Sequence, residues 1–232
     1  MGKSSAKRIQ TSFLGAAEKK LLVKIAKKLP AWVTSDFLTW TGFIGAVICA
    51  VGYWLGTINL QFLWISSFGL AVNWFGDSLD GTLARVRNTQ RPTYGFYIDH
   101  ALDAFTICIM CIGAGLSPLF NFDIALLVLA GYLVISIHTY ILTILKDEFL
   151  LNYGGFGPTE FRLIMIAINT VGIYVPWQGV SLEICGFDFD LFDMLAVVIL
   201  VILWGLNIYH FCHDLRYFAK KDPVKPYRPK QD

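Results

Sequence analysis

From Phe37 to Gly76 the chain carries not one charged residue. A run of that length is about twice what one helix needs to cross a hydrocarbon core of about 30 Å. It breaks near its middle at Gly56-Thr57-Ile58-Asn59, which predicts two helices joined by a tight turn. Four further apolar runs come later in the chain: Ala104 to Phe122, Ile124 to Leu145, Leu163 to Ser181 with Pro176 near its end, and Met194 to Cys212. Each is about 18–22 residues, the length of one membrane span. The runs do not alternate apolar with polar residues, as the strands of a membrane barrel would. Hydrophobic residues make up 56% of the chain and charged residues 16%, which excludes an ordinary soluble fold and disorder alike. The expected fold is an all-α integral membrane protein of six transmembrane helices.

The cations say how those helices are threaded. All 19 Lys and Arg residues fall before the first span, between spans two and three, between spans four and five, or after span six. The three other loops have none. The positive-inside rule then places both termini in the cytoplasm. Ahead of the first span, Leu14, Ala17, Leu21, Ile25 and Leu29 recur at helical spacing with lysines between them. This predicts an amphipathic helix lying in the membrane interface, its lysines against anionic headgroups. No secretory leader is expected. The domains expected are a basic arm and juxtamembrane helix (1–35), a six-helix domain (36–215) and a basic cytoplasmic tail (216–232). The tail, with three prolines after Lys220, reads as extended and disordered. Cys108 and Cys111 form a Cys-x-x-Cys inside a span with no second pair, so they are expected to be buried structural thiols.

Four carboxylates gather at one edge. Asp77 and Asp80 close the second span three residues apart, and Asp99 and Asp103 open the third four residues apart. Each spacing puts a pair on one helical face. A short cytoplasmic connector lets the pairs face one another. Four such groups repel unless a cation holds them. Arg85 is placed to neutralise one, and oxygen ligands at a polar edge suit Mg²⁺ or Mn²⁺. The alternative is four separate, solvated helix-end carboxylates. Ionisable groups at membrane depth point first to function. No Walker-type loop or dinucleotide fingerprint is present, and no nucleic-acid partner is expected.

Asp77-Ser-Leu-Asp80-Gly81-Thr-Leu-Ala84-Arg85 followed by Gly95-Phe-Tyr-Ile-Asp99-His-Ala-Leu-Asp103 resembles the signature of the CDP-alcohol phosphatidyltransferases. All eight fixed positions match. The connector Val86–Tyr94 is one residue longer than the family's usual eight. The resemblance implies transfer of a phosphoalcohol from a CDP-linked donor to an acceptor hydroxyl, with release of CMP. It implies two divalent ions on Asp77, Asp80 and Asp99, with Asp103 joining them or acting as base. It further implies nucleotide or phosphate contacts at Gly81, Ala84, Arg85 and Gly95, with Gly95 also allowing close packing at the start of span three. Arg87 and Arg91 would contact acceptor or headgroup, or simply add charge to an inside loop. The family also implies a homodimer, its interface on spans three and four, where Gly113, Ala114, Gly115 and Gly131 permit close helix approach.

The substrates are less constrained. An Asp-His pair at Asp99-His100 and a Thr-Glu pair at Thr159-Glu160 are similar to the cholinephosphotransferase and ethanolaminephosphotransferase branch, where His and Glu lie near the acceptor hydroxyl. His100 and Glu160 therefore join Asp103 as candidate catalytic groups. Each also has a plain structural reading, as a satisfied helix-end histidine and as an acid at a helix N-terminus. Inside-loop cations that would read a phosphorylated acceptor are few. The leading expectation is a small CDP-alcohol donor with a lipid alcohol acceptor. The alternative is CDP-diacylglycerol as donor to a small polar alcohol of the inositol phosphate, glycerol phosphate or serine type. A divalent-cation transporter is the alternative outside enzymology, although transporters usually hold their ions near the midplane. His138, in mid-span, is expected to bond a neighbouring helix or to line a cavity. The helices suit a bacterial inner membrane or a eukaryotic endomembrane, with the site at the cytoplasmic face.

Overall fold

Helix α2 (Ser35–Leu55) lies so close on α3 (Leu63–Val86) that the two backbones touch. A Cβ added at Gly45 would sit 2.4 Å from the Asn73 nitrogen, one at Gly69 2.3 Å from the Cys49 nitrogen, and one at Gly76 2.3 Å from the Gly42 nitrogen. Glycines at 42, 45, 52, 69 and 76 thus form the contact, and no larger residue fits it. Membrane helices associate by close packing rather than by the hydrophobic effect, so this contact sets the frame.

The chain is described here from a computed structural model, which covers residues 7–9, 14–146, 148–150, 157–177, 181–184 and 187–224. In chain order the elements are β1 (Lys7–Ile9), α1 (Gly15–Ala26), α2, a single 3₁₀ turn (Leu60–Phe62), α3, α4 (Pro92–Gly115), α5 (Phe122–Lys146), β2 (Glu148–Leu150), α6 (Pro158–Tyr174), β3 (Ser181–Ile184), β4 (Phe187–Asp190) and α7 (Leu191–Lys221). The fold is all-α apart from two small sheets, a parallel pair β1–β2 and an antiparallel hairpin β3–β4. Helix starts follow their local chemistry. Thr34 accepts the Phe37 N–H at 3.1 Å, Asp190 accepts those of Phe192 and Asp193 at 2.9 Å, and proline opens α4 and α6.

Among the described residues, four helices are long and apolar enough to cross a membrane: α2, α4, α5 and α7. The other two differ from the expected spans for visible reasons. Helix α3 continues past Gly76 through Asp77, Asp80 and Arg85 to Val86, and α6 has only 17 residues, about 26 Å at 1.5 Å per residue. Helix α7 runs through Leu215 to Lys221. Of the expected tail, residues 225–232 lie outside the described residues.

Two apolar clusters flank the carboxylates. One includes Cys49, Tyr53, Leu70, Leu119, Ile168 and Phe192. The other packs Leu22 and Ala26 of α1 against Leu38, Leu79 and Leu83. The predicted amphipathic helix is therefore present as α1, docked on α3. Glu18 fixes it there, accepting from Trp74 Nε1 at 2.8 Å and Thr159 Oγ1 at 2.6 Å. The small residues expected at an intersubunit face are occupied within the chain: Gly113 packs on Ala50, Gly115 on Phe122 and Ala125, and Gly131 on Leu203 and Trp204. His138 bonds a neighbouring helix, its Nε2 3.2 Å from Asp214 Oδ2 on α7. Of the Cys-x-x-Cys pair, Cys111 is buried and Cys108 half-buried, and both are free thiols.

The packing predicts opposite outcomes for two glycine substitutions. Gly69→Ala forces backbone apart and costs roughly 1–3 kcal/mol. Gly205→Ala, on α7 with no atom within 4 Å of the new Cβ, is neutral or stabilising by up to about 1 kcal/mol. Thermal unfolding in detergent micelles checks both.

Candidate active site

All four aspartates line one small cavity of about 10 Å³. Its walls are Thr39, Gly42 and Phe43 from α2, Asn73, Asp77 and Asp80 from α3, and Asp99, Leu102, Asp103 and Thr106 from α4. The cavity has room for an ion or a water, and its donors are almost all oxygens. Asp80 is buried; its Oδ2 accepts from Thr39 Oγ1 at 2.8 Å and its Oδ1 from the Gly81 N–H. The Asp80 carbonyl accepts from Ser35 Oγ at 3.0 Å, so α2 holds this turn twice.

Asp77 has a cation the sequence did not assign to it. Arg162, in the first turn of α6, donates from Nη2 to Asp77 Oδ2 at 2.6 Å and from Nε to Asn73 Oδ1 at 2.8 Å. Asn73 in turn donates from Nδ2 to the Gly42 carbonyl at 2.9 Å, which fixes which end of its amide faces the arginine. The relay runs from the α2 backbone through Asn73 and Arg162 to Asp77. The remaining donor, Arg162 Nη1, is buried without a hydrogen-bond partner among the described residues. Arg162 is thus an arginine that pairs with one of the four carboxylates. Arg85 lies exposed over Gly81, where an added Cβ would stand 3.4 Å from its Nη1, and donates from Nη2 to Thr82 Oγ1 at 3.0 Å.

Asp99, His100 and Asp103 each offer a ligand atom within 4.8 Å of the other two, a grouping that can hold a metal ion. His100 Nδ1 is 3.5 Å from Asp99 Oδ2. The imidazole ring is flanked by Phe96, with centroids 4.1 Å apart, and is stacked on Tyr140 of α5 at 5.4 Å and 19°.

The other expected positions separate into groups. Ala84 is buried and Gly81 half-buried beside the cavity. A side chain at Gly95 would meet nothing within 4 Å among the described residues, so the expected close packing is not seen among them. Arg87 donates to the carbonyls of Val33, Leu29 and Pro30 at 2.5, 2.9 and 2.9 Å, pinning the α1–α2 turn. Arg91 pairs with Asp36 and covers the Tyr94 ring at 4.0 Å. Glu160 is buried at the junction of α1 and α6, accepting the N–H groups of Leu14 at 3.1 Å and Gly157 at 3.0 Å. The extra connector residue is absorbed near Asn88, at φ 55°, a left-handed conformation that asparagine tolerates.

The profile of the CDP-alcohol phosphatidyltransferases matches residues 32–209, most of the chain and every wall of this cavity. The chain belongs to the CDP-alcohol phosphatidyltransferase family. The phosphatidylinositol phosphate synthase of Cutibacterium acnes is 38% identical over 77 residues, which is 33% of this chain. The match spans about a third (35%) of that relative's length. The family is one of membrane transferases of phospholipid synthesis. Its signature Asp77, Asp80, Asp99 and Asp103 are the residues brought to one cavity here.

Thr39, Asn73 and Arg162 were not singled out from the sequence. Asn73 had a signal: it precedes Asp77 and Asp80 by four and seven residues, so all three share one face of α3. Arg162 had a fainter one, as the sole cation of helix α6.

The Arg162–Asp77 contact predicts strong coupling. Arg162→Gln leaves a carboxylate without its counter-charge and costs roughly 3 kcal/mol. Adding Asp77→Asn recovers part of that loss, a coupling of about 1–3 kcal/mol in a double-mutant cycle of unfolding in micelles.

Proposed function

We infer that this protein transfers a phosphatidyl group from CDP-diacylglycerol to the hydroxyl of a small polar alcohol, with release of CMP. One observation carries the reading: Arg162 stands at the carboxylate cavity with a buried donor, Nη1, still to be used. The expectation of a lipid acceptor rested on the Asp99-His100 and Thr159-Glu160 pairs and on the scarcity of inside-loop cations, of which Arg162 is one. Its place at the cavity weakens the argument from scarcity, because a guanidinium presents a fork of donors suited to a phosphate. The printed name of the relative, a phosphatidylinositol phosphate synthase, points the same way. The acceptor favoured is thus a phosphorylated alcohol, such as an inositol phosphate or glycerol phosphate. Family membership sets the chain among transferases and leaves the ion-transporter reading without support.

The reaction is a direct displacement. The acceptor oxygen forms a bond to the phosphorus that bears diacylglycerol. The bond from that phosphorus to the bridging oxygen breaks, and CMP departs with that oxygen. Asp77, Asp80, Asp99 and Asp103 would hold divalent ions, Mg²⁺ or Mn²⁺, since their oxygens converge and His100 adds a nitrogen. When bound, such ions offset the charge of the pyrophosphate and of the leaving CMP. Thr39 and the Gly81 N–H hold Asp80 in place, and Arg162 holds Asp77. Asp103 takes the hydroxyl proton. His100, set by Phe96 and Tyr140, is the second candidate base. Gly81 and Gly95 leave room for the nucleotide, and Arg85 reaches its phosphates.

The same reading makes α3 and α6 membrane spans, six in all with α2, α4, α5 and α7. Both termini and the carboxylate edge then face the cytoplasm, where the lysines and arginines are.

CMP release from CDP-diacylglycerol in Mn²⁺ or Mg²⁺ tests the account. Activity is expected with a phosphorylated polyol, abolished by chelation, and lowered at least about 100-fold by Asp103→Asn. Arg162→Lys is expected to raise KM for a phosphorylated acceptor more than for its unphosphorylated form. Release only from a small CDP-alcohol with a diacylglycerol acceptor would overturn the donor assignment.

A further inference from the structure

Helix α7 is longer than a membrane needs. Its 31 residues span about 46 Å, against about 30 Å of hydrocarbon. Roughly 20 residues from Leu191 bring the helix to the neighbourhood of His210. The remaining turns, to Lys221, stand in the headgroup layer. Along this segment runs a groove of about 580 Å³, lined among the described residues by Tyr209, Cys212, His213, Arg216, Tyr217 and Lys220. These positions recur at three- and four-residue spacing, so they form one continuous helix face.

The face has a specific chemistry. It carries two permanent cations one turn apart, Arg216 and Lys220, and among the described residues no acid lines it. Tyrosine rings stand toward either end, and the Tyr209 ring stacks on His213 with centroids 6.2 Å apart at 24°. The acid on this segment is turned inward. Asp214 is buried against α5, its Oδ2 3.2 Å from His138 Nε2 and its Oδ1 3.5 Å from His213 Nδ1, so its oxygens meet imidazoles. The buried contact with His138 also fixes the rotation of α7, keeping Arg216 and Lys220 outward. Exposed Phe211 and Leu215 lie on this same segment, as expected of a helix bordered by lipid.

We propose that this groove binds the headgroup of an anionic phospholipid, its phosphate between Arg216 and Lys220 and its glycerol region against Tyr209 and Tyr217. Tyrosine with Arg or Lys is the side-chain set that membrane interfaces select. The pairing of Arg216 and Lys220 one turn apart, together with Tyr209 and Tyr217 and with Asp214 turned inward, makes it a site rather than a general positive charge. None of the six residues belongs to the carboxylate cavity, so occupancy is separable from catalysis.

Cys212 supplies the readout, since its thiol lines the groove and is exposed. The full chain is reconstituted in nanodiscs of phosphatidylcholine with increasing phosphatidylglycerol and treated with a bulky maleimide. Modification of Cys212 is followed by peptide mass spectrometry. Phosphatidylglycerol is expected to slow the labelling, and pure phosphatidylcholine is not. Arg216→Gln with Lys220→Gln is expected to raise the phosphatidylglycerol fraction for half-protection steeply, with an affinity loss of roughly 30-fold for two near-surface cations. Lys24→Gln, which removes an exposed charge from α1, is expected to leave protection unchanged. The exchange Arg216→Lys with Lys220→Arg keeps both charges and is expected to retain it, which separates lost binding from lost folding. Equal protection by phosphatidylcholine, equal loss with Lys24→Gln, or the same protection by soluble glycerol phosphate would each overturn the proposal.

Discussion

The contact of α2 with α3 at backbone distance is the constraint on which the site depends. Because glycines 42, 45, 69 and 76 remove side chains from the seam, α2 comes close enough for its own groups to reach the acids of α3. Thr39 then bonds Asp80, Ser35 bonds the Asp80 carbonyl, and the Gly42 carbonyl takes the Asn73 amide. Separate the helices by the width of one methyl group and all three bonds lengthen together. In a bilayer, where apolar surface gains nothing from meeting other apolar surface, such close approach is the main source of helix association.

Electrostatics supplies the second constraint. Four carboxylates around a cavity of about 10 Å³ repel one another in a poorly screened setting. The chain answers part of this with one arginine from a distant helix, held by an asparagine that is itself held by backbone. In the proposed reaction, divalent cations would offset the rest. A site whose own charges do not balance is suited to a substrate that arrives as a pyrophosphate with divalent metal. The same logic explains the peripheral arginines. Arg87 and Arg91 are spent on carbonyls and on Asp36, so they build the rim of the site and do not crowd its centre.

Much of this was legible in the sequence because it is local. Apolar runs report helices directly, and the spacings 77/80 and 99/103 report shared helical faces. What stayed hidden is through-space. Nothing in the sequence near Arg162 says that it meets Asp77, 85 positions away. Arg85, adjacent in the motif, was the partner the sequence suggested. Glu160 illustrates the converse, since its position at a helix start was plain while its bond to the Leu14 N–H depends on where α1 docks. The glycines read as small residues in both cases, but only packing decides whether they face a partner helix in the same chain, as Gly113 and Gly131 do. Charge at the end of α3 and the shortness of α6 likewise hid where those two helices stop.

The central claim is that the four aspartates of α3 and α4 form one cation site that serves CDP-linked chemistry. Anomalous diffraction from crystals grown with Mn²⁺ and CDP tests it most directly. The account predicts manganese peaks bounded by Asp77, Asp80, Asp99 and Asp103, with the diphosphate beside them and Arg162 still on Asp77. Manganese bound elsewhere, with this cavity empty while CDP is present, would contradict it.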